Sequence, residues 1–192
     1  MKTIHGIYLF VATYLLFAIA MFLLPVITIP GYRITVNTVS ELGALSSPDA
    51  WIINVLLAAL ALGAVFMNWG VYKGFVFQRI LLSVFGLTLI LSVLINHAPA
   101  GKVIQYNAVE DGWHSYFIGT AVLSFIILSV SEAYMCDKKR GKGFSVLAGS
   151  LVIILSILMS ETKQFAGIWQ RLMYLIIFGW MIFNVIINRY IE

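Results

Sequence analysis

The sequence predicts an all-α, polytopic integral membrane protein, a bundle of six transmembrane helices that forms a single domain over residues 1–192. Hydrophobic residues make up 61% of the chain and mean hydropathy is +0.99, whereas soluble domains are about 45–50% apolar. The apolar residues form six runs, each close to the ~20 residues that cross a bilayer core. Only 10% of the residues are charged, and most of these lie between the runs.

The six predicted spans cover residues 6–29, 50–71, 77–95, 113–135, 144–160 and 167–189. The first run exceeds the roughly 7–15 residues of a signal-peptide core, so we interpret it as a retained span, which Pro30-Gly31 ends. Ser47, Pro48 and Asp49 are typical of an N-cap, a first helical position and a first turn, and they predict the start of the second span.

Basic residues predict the orientation of the bundle. If the N-terminus is cytoplasmic, eight basic residues lie inside and four outside, so the positive-inside rule places both termini in the cytoplasm of a cell-membrane protein. The inside set is Lys2, Lys73, Arg79, Lys138, Lys139, Arg140, Lys142 and Arg189, and the outside set is Arg33, Lys102, Lys163 and Arg171. These residues are too few and too scattered for a nucleic-acid surface.

Acidic residues accumulate at the predicted outer ends, where they indicate a polar site. Five of the eight lie there: Glu41, Asp49, Glu110, Asp111 and Glu161. Glu41 belongs to a polar turn at residues 39–44, and an unpaired carboxylate at a membrane edge costs several kcal/mol. We therefore predict that one outer pocket collects the ionisable side chains of this level, which are Glu41, His97, Asp111, His114 and Arg171.

The start of the fourth span offers a general base or a metal site. Asp111 and His114 are three residues apart, so they share a helix face, and a carboxylate beside an imidazole raises its basicity. His97 reaches the same level from the third span. Nitrogen and oxygen ligands suit zinc, so His97, His114 and Asp111 are candidate ligands of a divalent metal. The same spacing is also typical of helix capping, and that alternative stays open.

Three further polar residues have structural or ligand-binding interpretations. Arg171 lies about one turn inside the sixth span, and its guanidinium predicts a charge-assisted contact with Glu41 or Glu161. Asn54 either binds a ligand or makes a hydrogen bond between helices. Glu132, near the inner end of the fourth span, is predicted to pair with the basic run 138–140.

The order of the polar motifs resembles a known family. Ser40-Glu41-Leu42-Gly43-Ala44 with Pro48, then His114, then Gly167-Ile168-Trp169-Gln170-Arg171, resembles the bacterial and archaeal membrane family catalogued as domain of unknown function 998. The first turn is also distantly similar to the Ile-Ser-x-x-Gly…Pro-Glu pattern of the eukaryotic FGF-receptor-activating and autophagy-modulator group. These resemblances imply a compact six-helix protein with a function that concerns lipids, and they imply no catalytic residues.

Two functions from different classes follow. One is a lipid-modifying or metal-assisted hydrolytic enzyme acting on lipid head groups, with Glu41, Asp111 and His114 as catalytic residues and Ser40, Asn54 and Arg171 as ligand-binding residues. The alternative is a non-enzymatic lipid-binding or accessory membrane protein in which the polar cluster is a structural staple. Transport would require polar residues deeper in the spans, and a haem held by His97 and His114 would normally lie in the bundle core. Membrane lipids are the expected partners, and a homo-oligomer stays open.

Overall fold

A computed structural model describes residues 2–44, 47–95, 97–98, 107–135 and 139–189. These residues form seven α-helices, one 3₁₀ turn at Lys163–Phe165, and no strand. The helices are α1 (Lys2–Thr28), α2 (Val39–Leu42), α3 (Ala50–Asn68), α4 (Val76–Leu94), α5 (Ala108–Met135), α6 (Lys139–Glu161) and α7 (Ala166–Arg189). All except the short α2 are long and apolar enough to cross a membrane, which confirms the predicted all-α bundle of six spans.

The helix boundaries differ from the prediction by four or more residues at three starts. α1 begins at Lys2 instead of residue 6, and α5 and α6 also begin earlier. α5 begins at Ala108, five residues before the predicted 113, because Asn107 Oδ1 accepts a hydrogen bond from the backbone N–H of Val109 and so caps the helix. α6 begins at Lys139, so the basic stretch before residue 144 belongs to the helix. The additions to α5 and α6 are polar turns that extend an apolar span.

The predicted N-cap of the second span is wrong. α3 begins at Ala50, and its N-cap residue is Asp49, whose side chain makes no capping hydrogen bond. Asp49 has φ 57°, in the left-handed region that Asp tolerates better than most residues. The Ser47 hydroxyl instead donates to the Glu41 carbonyl oxygen at 2.9 Å. Ser47 therefore stabilises the preceding polar turn and not the helix.

α7 occupies the middle of the bundle. It packs against α1, α3 and α6, and it is the most buried of the six spans. The Phe178 ring of α7 meets Phe17 of α1 and Phe85 of α4 edge-on, with ring centroids 6.3 and 6.2 Å away. Such aromatic contacts stabilise a pair by about 0.5–1.5 kcal/mol beyond the buried area. Polar residues on α7 are therefore placed in the interior of the protein.

The outer surface of the bundle is apolar. Leu9 on α1, Phe66 on α3 and Leu87 on α4 are exposed, together with many other large hydrophobic side chains. Such a surface is stable in lipid, where helices satisfy their own backbone hydrogen bonds. The fold and surface together identify a multi-pass membrane protein.

The two ends of the bundle differ in their connections. We call the end that carries residues 29–44, 47–49, 95, 97–98 and 162–165 the loop end, and the opposite end, which carries residues 69–75, the turn end. The assignment of the loop end to the outside remains a prediction from basic residues. Of the residues it uses, Lys102 and Lys138 lie outside the described residues, as do the side chains of Lys2, Lys139, Arg140 and Arg189.

A buried polar cluster at the turn end was not predicted. Asn184 Nδ2 of α7 donates to the Tyr72 hydroxyl at 2.8 Å and to Asn68 Oδ1 at 3.2 Å. Glu132 is buried beside Tyr72 and Asn188. Its predicted partners, the basic residues 138–140, lie outside the described residues or have undescribed side chains. The cluster ties α3, α5 and α7 together by hydrogen bonds.

Candidate functional site

Arg171 fastens the first loop to the centre of the bundle. Its side chain is fully buried. Nη1 donates to the carbonyl oxygens of Ile34 and Asn37 at 3.0 and 2.9 Å, and to that of Gly167 at 2.8 Å. Nη2 donates to the Tyr32 hydroxyl at 2.9 Å. Burial raises the pKa of Tyr32 although Arg171 acts to lower it, so this hydroxyl stays protonated.

Arg171 Nε takes the place of a backbone N–H that is missing in α1. Pro25 lies inside α1 and has no N–H to donate to the carbonyl oxygen of Met21, four residues earlier. Arg171 Nε donates to that oxygen at 3.1 Å. The buried charge of Arg171 is thus solvated by backbone dipoles from α1, α7 and the first loop.

The predicted ion pair of Arg171 is wrong. In the part of the chain that the structure describes, which includes Glu41 and Glu161, no carboxylate lies at ion-pair distance from its guanidinium. The physical reason is geometric, because backbone carbonyl and hydroxyl oxygens already accept hydrogen bonds from Nε, Nη1 and Nη2. Arg171 also does not line the cavity described below.

Glu41 is held in a capping box at the start of α2. Thr38 is the N-cap residue: its hydroxyl accepts from the Glu41 N–H at 3.2 Å, and Glu41 Oε1 accepts from the Thr38 N–H at 3.4 Å. Glu41 Oε2 also accepts from Asn37 Nδ2 at 2.6 Å. The carboxylate is therefore positioned by neutral donors.

Gln170, which the sequence analysis did not single out as a site residue, fixes α2 on α7. Its Oε1 accepts from the backbone N–H groups of Val39 and Ser40 at 2.6 and 3.2 Å, and its Nε2 donates to Ser40 Oγ at 2.9 Å. The side chain is buried. The signal available in the sequence was an amide side chain next to Arg171 near the start of an apolar span. Asn54 has a similar structural contact, donating from Nδ2 to the Gly43 carbonyl oxygen at 2.8 Å.

The two predicted histidines lie together, as expected. The rings of His97 and His114 stack with their centroids 4.4 Å apart. His114 Nδ1 lies 2.8 Å from the Ser92 carbonyl oxygen in the last turn of α4, so Nδ1 carries the proton in that contact. His114 Nε2 is buried and has no hydrogen-bond partner among the described atoms.

Asp111 completes this cluster. Its Oδ1 lies 2.6 Å from His97 Nδ1, although the two atoms are not aligned for a hydrogen bond, and it accepts from the Ala98 N–H at 2.9 Å. Burial, together with the neighbouring His114, lowers the pKa of His97 to about 4, against the opposing effect of Asp111. His97 is therefore neutral at physiological pH.

The candidate metal ligands do not form a metal-binding group. Among the described residues, no set of three or more His, Cys, Asp and Glu side chains is arranged to hold a metal ion. His97, His114 and Asp111 are adjacent, but two of their atoms already contact each other and a third faces a backbone carbonyl. The arrangement of these three side chains therefore does not fit a zinc site.

A cavity of about 680 Å³ opens beside this cluster. At the loop end it is lined by polar side chains, which include Thr38, Ser40, Glu41, His97, His114, Lys163 and Gln170. Deeper in the bundle its walls are mostly apolar, with Ile118, Val122, Leu123 and Ile126 of α5, Met159 of α6 and Met173 of α7. Ser156 of α6 also lines this part, and its hydroxyl donates to the Val152 carbonyl oxygen of its own helix. Four of the predicted site residues, Ser40, Glu41, His97 and His114, thus share one cavity, whereas Asn54, Asp111 and Arg171 are not part of its lining.

The comparisons with known proteins give a family and no activity. A family model described as "Protein of unknown function (DUF998)" matches residues 4–185, nearly the whole chain. No curated protein and no solved structure matches.

Proposed function

We infer a lipid-binding function for this chain, which belongs to the DUF998 family of membrane proteins. The observation that carries the proposal is the cavity, polar at the loop end and apolar towards the middle of the bundle. This polarity matches an amphiphile whose head group lies at the loop end and whose hydrocarbon chain lies between the helices. The volume of about 680 Å³ falls within the range of sites for small ligands, roughly 300–1,000 Å³.

The depth of the cavity fits one leaflet of a bilayer. Its lining on α5 runs from His114 to Ile126, and at 1.5 Å per residue this distance is about 18 Å. The hydrocarbon core is about 30 Å thick, so one leaflet is about 15 Å deep. A lipid of that leaflet could therefore enter the cavity without changing the depth of its head group.

The packing of α5 and α6 explains where the cavity lies. At Gly149 of α6 the two helices are close, because a Cβ atom there would lie 2.6 Å from Ser129 Oγ of α5. Towards the loop end, Ser156 and Met159 of α6 face the cavity instead. Small residues permit close helix contact in membranes. The pair is thus tightly packed at the middle of α6 and encloses the cavity between that contact and the loop end.

Filling the cavity should displace the lipid. Gly119 lines the cavity, and a Cβ built there meets no other atom within 4 Å. We expect Gly119→Trp to lower the amount of phospholipid that co-purifies with the protein several-fold, because the indole occupies the chain-binding region, while the thermal midpoint stays near that of the wild type. Lipid extraction and mass spectrometry of the protein in detergent measure this.

Gly112→Trp is the matched control for that variant. Gly112 lies on the same helix and its Cβ position is equally open, but it does not line the cavity. It should retain the wild-type amount of lipid. Equal lipid retention by the two variants would contradict the lipid-binding function.

Lipid hydrolysis is a second candidate, favoured by the contact of 2.6 Å between Asp111 and His97 at the polar end of the cavity. A carboxylate beside a histidine is an arrangement found in general bases. The ideal pKa of such a base lies near the working pH, however, and burial lowers that of His97 to about 4. His97 is thus a weak base at neutral pH. For this reason we favour lipid binding over lipid hydrolysis as the function.

A hydrolytic function makes a distinct prediction about pH. Because a general base acts in its neutral form, and the folded pKa of His97 is about 4, hydrolysis should persist down to about pH 4 and should not fall near 6.5, the ordinary histidine value. His97→Gln should abolish product formation from a phospholipid in mixed micelles while lipid retention persists. Product formation by His97→Gln at the wild-type rate would exclude His97 as the base.

A further inference from the structure

Two opposite charges face the polar end of the cavity without being paired. Glu41 and Lys163 both line it, and within the described part of the chain neither lies at ion-pair distance from an opposite charge. The carboxylate of Glu41 accepts from Asn37 Nδ2 at 2.6 Å and more weakly from Thr38, which are neutral donors. A carboxylate can accept about four hydrogen bonds, so acceptor capacity remains. An unneutralised carboxylate at a membrane edge is costly, and a cationic ligand group would offset that cost.

We propose that the bound lipid is a zwitterionic phospholipid with a primary ammonium in its head group, the ammonium contacting Glu41 and the phosphate contacting Lys163. This assignment rests on the lipid-binding function proposed above. Glu41 and Lys163 give the polar end of the cavity one negative and one positive charge. These two charges are complementary to a head group that also carries one charge of each sign.

The chemistry of the lining favours a primary over a quaternary ammonium. Sites for quaternary ammonium groups are cages of Trp, Tyr and Phe. Among the residues that the structure describes, none of these lines the cavity, and the rings that do are the imidazoles of His97 and His114, which stack on each other. A primary ammonium has three N–H donors, which suit the carboxylate of Glu41 and nearby hydroxyl groups such as Ser40 Oγ.

Lys163 suits the phosphate of the same head group. It lies in the 3₁₀ turn between α6 and α7 and its side chain is exposed, so the ammonium can reach an anion at the membrane surface. Lysine binds phosphate as a point charge. Since every phospholipid carries a phosphate, Lys163 supplies affinity, whereas Glu41 selects the head group.

The test is competition among three phospholipids with identical acyl chains, phosphatidylethanolamine, phosphatidylcholine and phosphatidylglycerol, in equimolar mixture with the full-length protein. Retained lipids are counted by native mass spectrometry. The wild type should retain phosphatidylethanolamine preferentially. Glu41→Gln should reduce that preference roughly tenfold, since a hydrogen bond to a charged group contributes about 1.5–3 kcal/mol. Glutamine preserves the capping box, so the variant removes the charge and leaves α2 formed.

Two further variants complete the design. Glu161→Gln makes the same charge change at the same end of the bundle, but Glu161 does not line the cavity, so the preference should stay at the wild-type value. Lys163→Met should weaken retention of all three lipids alike. Equal retention of the three lipids by the wild type, or an unchanged preference in Glu41→Gln, would overturn the head-group assignment while lipid binding stands. If the wild type retained no more lipid than Gly119→Trp, lipid binding itself would fail.

Discussion

An Arg171→Leu variant should lose a large part of its folded stability. The substitution removes the Arg171 donors to the carbonyl oxygens of Ile34, Asn37 and Met21, and leucine has no donor to replace them. The Asn37 oxygen keeps the Tyr32 hydroxyl as a donor, so the oxygens of Ile34 and Met21 are the ones left unpaired. A buried polar group left without a partner costs about 1–3 kcal/mol. Two such groups give a loss of about 2–6 kcal/mol, a large part of the roughly 5–15 kcal/mol that typically stabilises a protein.

Thermal unfolding in detergent, followed by size-exclusion chromatography, measures this loss. Arg33→Leu is the control, since Arg33 is an exposed arginine of the same loop. Arg171→Lys should lie between Arg171→Leu and the wild type, because an ammonium has three donors on one atom and cannot span the separated acceptors. A thermal midpoint of Arg171→Leu equal to that of Arg33→Leu would show that the hydrogen bonds of Arg171 do not hold the loop.

The partners of Arg171 could not be read from the sequence because, apart from the Tyr32 hydroxyl, they are backbone atoms. Glu41 and Glu161 were the side chains whose charge suits a guanidinium. Every residue has a backbone carbonyl group, so the amino-acid composition of the loop does not indicate that its carbonyl oxygens accept hydrogen bonds from Arg171. One clue was present. Pro25 inside the first span leaves the Met21 carbonyl oxygen without its helical donor, and a buried guanidinium is a suitable replacement.

Hydropathy predicted the six spans, and the positions of His97 and His114 at the ends of neighbouring spans predicted that these two residues lie close together. Both histidines lie near helix ends at one level of the bundle, so a fold of adjacent helices brings them together. The cavity could not be predicted in the same way. Its size depends on how far α5 and α6 separate beyond Gly149, and that separation follows from packing across three helices. Lys163, which lines it, entered the sequence analysis only as a topological charge.

Gly167→Ala should destabilise the protein and also reduce its lipid retention. A Cβ atom at Gly167 would overlap the carbonyl oxygens of Ile34 and Asn37, and these atoms belong to the backbone, so no side-chain rotation can relieve the overlap. The Gly167 N–H also donates to the Thr35 carbonyl oxygen at 3.0 Å, which shows how closely α7 and the loop approach. Overpacking in a fixed interior costs about 1–3 kcal/mol, and more where backbone must move.

Displacement of the loop would also disturb the cavity, because Thr38, Ser40 and Glu41 follow directly after residues 34–37 and line its polar end. We therefore expect a lower thermal midpoint together with less bound phospholipid, both measured on the same preparation. Gly179→Ala is the matched control on α7: its Cβ would meet the Tyr14 hydroxyl at 3.5 Å, an ordinary contact. That variant should keep its lipid and gain up to about 1 kcal/mol from helix propensity. Equal stability and equal lipid retention in the two variants would show that the approach of the loop to Gly167 is not what shapes the site.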